Sequence, residues 1–156
     1  MLYYWRKISK FVNNQILMAK DFYHELVKEA LEAEGWTITH DPYSLDEWDP
    51  EWETDLGAEK VIGARKDAQK IAVEVKSFLD PSPAHQFHKA LGQYLNYIGA
   101  IENLDKDRVL YLAVPLKIWN TEFQRHGIRY SIEKYAINIL IYNIESKNIE
   151  EWKTFH

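Results

Sequence analysis

Apolar side chains recur every three to four residues in KDFYHELVKEALEAEGW, residues 20–36: Phe22, Leu26 and Ala30 form one row, and Tyr23, Val27 and Leu31 the next. That period lays both rows along one side of a helix, with Asp21 as a cap or first-turn acid and Gly35 as the stop. The period then changes. WTITH (Trp36 to His40) reads as a short strand, and the Asp-, Pro- and Trp-rich stretch after it, interrupted by Pro42 and Pro50, reads as a loop. TDLGAEKVIGARK and QKIAVEVKSF flank a polar turn near Lys66 to Ala68 and predict a hairpin. From Ala84 to about Glu102 the helical period returns, with Phe87, Leu91, Tyr94 and Ile98 on one face. RVLYLAVP, residues 108–115, is a continuous apolar run closed by proline, the pattern of a central strand buried on both faces. One or two short helices are predicted in KIWNTEFQRHGIRYSIEKY, and AINILIYNI is predicted as the last strand. The order α-β-β-β-α-β-α-β describes an α/β (α+β) fold, a central mixed sheet flanked by helices.

Composition narrows the classes. The 156 residues, 46% of them hydrophobic and 28% charged, suffice for one domain with its own core. With no cysteine, a disulfide framework, a zinc ribbon, a cysteine nucleophile and an iron–sulfur site are excluded. No apolar run approaches the roughly 20 residues that cross a bilayer, so a soluble, cytoplasmic protein without a membrane partner is expected. The first 18 residues carry Arg6, Lys7 and Lys10, no acid and no small-residue cleavage site, and make a poor secretory signal. Their apolar residues can line a helix that docks on a partner. The simpler expectation starts the domain at Met18, with residues 1–17 a non-native or flexible extension and 18–156 a single domain. Scattered glycines offer no nucleotide cradle, and no nucleophile elbow is visible.

Charge is unevenly spread. The net charge of -5 argues against coating nucleic acid by electrostatics alone. Asp41 to Glu59 holds eight acids and no Lys or Arg, whereas Lys60 to Lys76 holds five bases and two acids. A solvated acidic loop is the ordinary form of such a run, yet carboxylates crowded before a strand also suit a hard cation. Trp48 and Trp52 sit in this loop, where a partner or dimer contact fits better than base stacking.

The chemistry concentrates in KIAVEVKSF, residues 70–78. In a strand, successive side chains point to opposite faces, so Val73 and Val75 face one way while Glu74 and Lys76 share the other, roughly 6.6 Å apart. Alone, an E-x-K alternation also describes a solvent-facing strand. Three neighbours add to it. Asp55 opens the preceding strand, so antiparallel pairing brings its carboxylate toward Glu74. Gln93 and Tyr97, four apart, share one face of the second helix, and Glu25 takes a polar position between the apolar rows of the first. Each has a plain structural rival: a surface charge pattern, a turn cap, a solvated helix residue, a core tyrosine. His85 and His88, spaced i and i+3, lack an acidic partner and read as surface residues.

In chain order these residues resemble the motifs of the PD-(D/E)xK nuclease superfamily, with its restriction-endonuclease-like core. Asp55 matches the first acid, Glu74 and Lys76 the E-x-K, and Gln93 with Tyr97 the Q-x-x-x-Y of some branches; Thr54 stands where a proline often precedes the acid. Over nearly all of Met18 to Trp152, the segments HELVKEALEAEGWTITHDP, TDLGAEKVIGARKDAQKIAVEVKSFL, LGQYLNYIGAI and YLAVP resemble the fdxN-element excision controlling factors, the XisH proteins. That resemblance implies a role in programmed DNA excision beside a site-specific recombinase and a small companion factor. For the site, the PD-(D/E)xK resemblance implies Mg²⁺, or Mn²⁺ in its place, on Asp55, Glu74 and the Val75 carbonyl. Lys76 would act on the attacking water, with Glu25, Gln93 and Tyr97 in support. Two functions follow: a metal-dependent DNA endonuclease or nickase, or a catalytically silent factor that keeps the fold and binds the recombinase or companion. The aromatic content also allows a homodimer.

Overall fold

The structure is a computed structural model and describes residues 1–61 and 68–155. A long helix, α1 (Leu2–Ala33), leads into β1 (Thr37–His40), a two-stranded ribbon of β2 (Tyr43–Ser44) and β3 (Glu53–Thr54), then β4 (Leu56–Val61) and β5 (Ala68–Val75). The second half runs through α2 (Pro83–Leu104), β6 (Arg108–Pro115), α3 (Leu116–Asn120), α4 (His126–Lys134), β7 (Ile139–Asn143) and β8 (Asn148–Lys153). Six strands form one mixed sheet in the order β1-β4-β5-β6-β7-β8. The β5–β6 and β6–β7 pairs are parallel, and the rest antiparallel.

The expected mixed sheet flanked by helices is present, with three differences in its elements. First, α1 does not begin near Asp21; it runs unbroken from Leu2, because residues 2–20 contain no glycine or proline to stop it. Its end is as predicted. Gly35, at φ +91°, donates to Glu32 O while Trp36 donates to Leu31 O, a paired closure that needs a residue free to adopt positive φ. Second, the acidic loop contains the β2–β3 ribbon, which buries Tyr43 and Leu45 in the core. Trp52 packs against that core, edge-on to Tyr97, while Trp48 is exposed. Third, β7 is not the last strand. After a turn in which the Asn143 side chain accepts from the Glu145 and Ser146 N–H groups, β8 pairs back onto it. The turn of the predicted hairpin lies outside the described residues except for Ala68.

Period-two alternation in the central strands builds a core on each face. Ile71 and Val73 of β5, Tyr111 and Ala113 of β6, and Leu140 and Tyr142 of β7 meet Leu26, Val27 and Leu31 of α1. Ala72, Leu110, Leu112, Val114, Ile139 and Ile141 meet Phe87, Ala90 and Tyr94 of α2, with Ile128 and Ile132 of α4. Ser82 caps α2 by accepting the His85 N–H, and Pro83 occupies its first turn. The helix is thereby set to start beside the end of β5.

Candidate active site

At the end of β5 the same alternation that sends Val73 into the α1 core turns Glu74 toward the α2 side. The register Leu56↔Val73 sets Asp55, one residue earlier, across from Glu74. Asp55 is held there by a backbone donor, its Oδ2 accepting the Val75 N–H at 2.7 Å. Lys76 is fixed at both backbone groups: its N–H donates to Ala113 O at 2.9 Å, and its carbonyl accepts the Tyr142 hydroxyl at 2.8 Å. Its ammonium lies 3.3 Å from Glu74 Oε1.

Glu74 is only 8% exposed. Its second oxygen, Oε2, is buried and has no hydrogen-bond partner among the described residues. Burial, and then the charge of Asp55, push the Glu74 carboxyl up to about 8 against the opposing pull of Lys76. Tyr97 sits close enough to feel both acids: burial first, then Glu74 and Asp55, raise its hydroxyl to about 12.

Asp55, Glu74, Val75 and Lys76 open onto a cleft of about 400 Å³ between α1 and α2, also lined by Lys20, Tyr23, His24, Gln86 and Lys89. Asp21 and Asp80 line it too. Of the residues expected in support, Tyr97 lies near enough to feel the charge of both acids but does not line the cleft. Gln93 is half-buried outside the lining residues, its side-chain carbonyl buried without a partner among the described residues. Glu25 does not line the cleft. It is exposed and groups with His24 and Asp41, one ligand atom of each lying within 4.8 Å of the others. His85 and His88 are exposed on α2 and do not line the cleft.

His24 is the residue that sequence reasoning passed over. Its Nδ1 is 4.0 Å from Asp55 Oδ1, and its Nε2 is 2.7 Å from Asp41 Oδ1. Lys28 holds the other Asp41 oxygen at 2.9 Å. Burial works to raise the Asp41 carboxyl, but Lys28 and His24 outweigh it and keep it below its ordinary value. The available signal was the four-residue recurrence of Lys20, His24 and Lys28 along one helix face. Gln86, another cleft residue passed over, has its side-chain carbonyl buried without a donor among the described residues.

Two opposed carboxylates, one with a buried oxygen that has no partner among the described residues, are a donor set suited to a hard divalent cation. A cation there would relieve both the desolvation of Glu74 and its repulsion by Asp55. With an ammonium 3.3 Å away, the arrangement has the parts for electrostatic work on a phosphate.

The XisH protein family model matches residues 17–150 of the chain. Two crystal structures are similar over most of its length. An XisH family protein from Nostoc punctiforme PCC 73102 is 40% identical, with a TM-score of 0.73 over 84% of this chain and 98% of its own. A fdxN element excision controlling factor protein from Anabaena variabilis is 40% identical, with a TM-score of 0.72 over 85% of this chain and 98% of its own. No curated protein matches the chain.

Proposed function

The chain belongs to the XisH family, and from that premise we propose that it serves in control of DNA element excision as a Mg²⁺-dependent endonuclease or nickase of PD-(D/E)xK type. One observation carries the reading. Glu74 is buried, has a carboxylate oxygen without a partner among the described residues, and stands between Asp55 and Lys76. A protein has little reason to keep such a carboxyl in its interior unless a cation or substrate completes it.

Asp55, Glu74 and the Val75 carbonyl would hold Mg²⁺, or Mn²⁺, which when bound supplies Lewis-acid polarisation of a phosphate and a water of lowered pKa. The Val75 N–H keeps Asp55 aimed at the site. Lys76 orients the attacking water and stabilises charge that develops at phosphorus. Hydrolysis forms one P–O bond from water and breaks one bridging P–O bond; the water's proton is lost as the leaving oxygen gains one. DNA and a recombinase with its companion factor are the partners that fit this role.

The test is incubation of the chain with supercoiled plasmid and Mg²⁺ or Mn²⁺, followed on a gel. Nicking by the wild type is expected, lost in Lys76→Ala while calorimetric Mg²⁺ binding persists, and Mg²⁺ binding lost in Glu74→Ala without unfolding. Normal Mg²⁺ binding by Glu74→Ala would overturn the site. The net charge of -5 favours the second reading, a silent factor acting through a recombinase or companion. Metal binding without nicking by the wild type would select it.

A further inference from the structure

The charges of the chain are divided along its length. All 24 acids lie after residue 20, together with 15 of the 19 lysines and arginines; before that point stand Arg6, Lys7, Lys10 and Lys20 with no acid. These first residues form the outer half of α1. Every residue from Met1 to Gln15 is exposed, so this part of the helix stands clear of the rest of the described chain. None of its four cations has an ion-pair partner among the described residues.

Helical spacing sets most of them in a row. Arg6, Lys10, Asn13, Lys20 and His24 recur at steps of three, four and seven residues, which return to nearly the same side of a helix. Arg6, Lys10 and Asn13 line one open groove there with Ser9. The inner end of the row is the cleft, which Lys20 and His24 line beside Asp55, Glu74 and Lys76.

We propose that this row is a rail for a DNA backbone, holding phosphates that flank the one taken into the cleft. The proposal rests on the phosphodiester reading above and places the rest of the substrate. Charge is the first reason. A chain of net charge -5 repels nucleic acid over much of its surface, whereas the outer half of α1 carries cations up to the cleft with no acid before Asp21. Reach is the second. From Arg6 to Lys20 the helix rises about 21 Å, the length of about six successive phosphates of one strand in a duplex, and Ser9 and Asn13 add neutral donors of the kind that contact phosphate. Trp5, Ile8 and Val12 are exposed on the same half of α1, and a second copy of the chain is the other occupant they would suit. Two such arms, cationic and without an acid, repel each other when they pair, so the charge favours DNA.

Fluorescence anisotropy of the full chain with a labelled DNA duplex tests this, with Ca²⁺ held constant and monovalent salt varied. Arg6→Gln with Lys10→Gln should reduce the magnitude of the log–log salt slope by about 1.8, at roughly 0.9 per cation, with the melting temperature unchanged. Arg6→Lys with Lys10→Arg should keep the wild-type slope. So should Lys106→Gln with Lys134→Gln, which removes the same charge from exposed positions ahead of β6 and β7, whose starts lie at the opposite end of the sheet from Glu74. A wild-type slope in the variant lacking Arg6 and Lys10, or an equal loss in the one lacking Lys106 and Lys134, overturns the rail; calorimetric Mg²⁺ binding that depends on Glu74 would leave the phosphodiester reading standing. A wild-type slope joined to a dimer in sedimentation that Trp5→Glu with Val12→Glu dissolves would overturn it in favour of a second copy. Absence of duplex binding by the wild type removes both readings.

Discussion

A carboxylate taken out of water loses solvation that only a positive neighbour or a donor restores, and Glu74 has Lys76 on one oxygen and no described partner on the other. Its carboxyl is raised from 4.5 to about 8 in the fold, so between those values the folded chain holds a proton that the unfolded chain releases. This contribution to stability is most favourable below the unfolded value and is lost as pH rises through the folded one. Glu74→Gln, which stays neutral, should therefore melt progressively higher than the wild type from pH 5 to pH 8.5, by on the order of a few kcal/mol at the alkaline end. Added Mg²⁺ should close the gap by stabilising the wild type alone. A gap independent of pH would mean that the carboxyl is not raised. Asp55, Glu74 and Lys76 were legible as a cluster because strand alternation and antiparallel pairing are local rules. Glu25 and His24 were not distinguishable, since neighbours on a helix point about 100° apart. Which of them turns toward the cleft depends on how Leu26, Val27 and Leu31 seat α1 on the sheet.

Elements meet at Arg108, a buried residue at the start of β6. Its guanidinium donates to Ile71 O at 2.8 Å and to Asp105 at 3.0 Å, lies 3.6 Å from Glu59, and stacks 4.5 Å from the centre of the Tyr43 ring. One side chain thus joins β4, β5, β6 and the β2–β3 ribbon. Arg108→Ala should cost about 3 kcal/mol or more in urea unfolding, because it leaves the Ile71 carbonyl without its buried donor and part-buried Asp105 without its cation. Arg108→Lys should recover less than half of that, lacking the planar fork that donates and stacks at once. A loss under about 1 kcal/mol would show that water reaches these partners. The second helix and β6 were legible from their apolar spacing. By contrast, β8 (NIEEWK) carries no regular alternation, as suits an edge strand with one neighbour. The ribbon was hidden because two-residue strands leave no periodic signal.

For the molecule as a whole, α1 has two unlike halves. Trp5, Ile8, Phe11 and Val12 are exposed, and the buried positions begin only at Leu26. A chain starting at Met18 should consequently unfold within about 0.5 kcal/mol of the full one; a larger loss, read by chemical denaturation, would mean that the first half of α1 supports the core. The order of the main helices and strands, the two-faced sheet and the Asp55–Glu74–Lys76 cluster followed from the sequence by itself. Each depends on periodicity or on the pairing of adjacent strands, where local preference and burial agree. Tertiary structure alone decided that His24, Gln86 and Lys89 come within one cleft with Lys20, that Arg108 is buried, and that Glu74 keeps an oxygen without a partner among the described residues. Those facts depend on how far α1 and α2 are rotated and slid against opposite faces of the sheet. That placement is set by side-chain packing over long sequence separations, which leaves no mark in the spacing of residues along the chain.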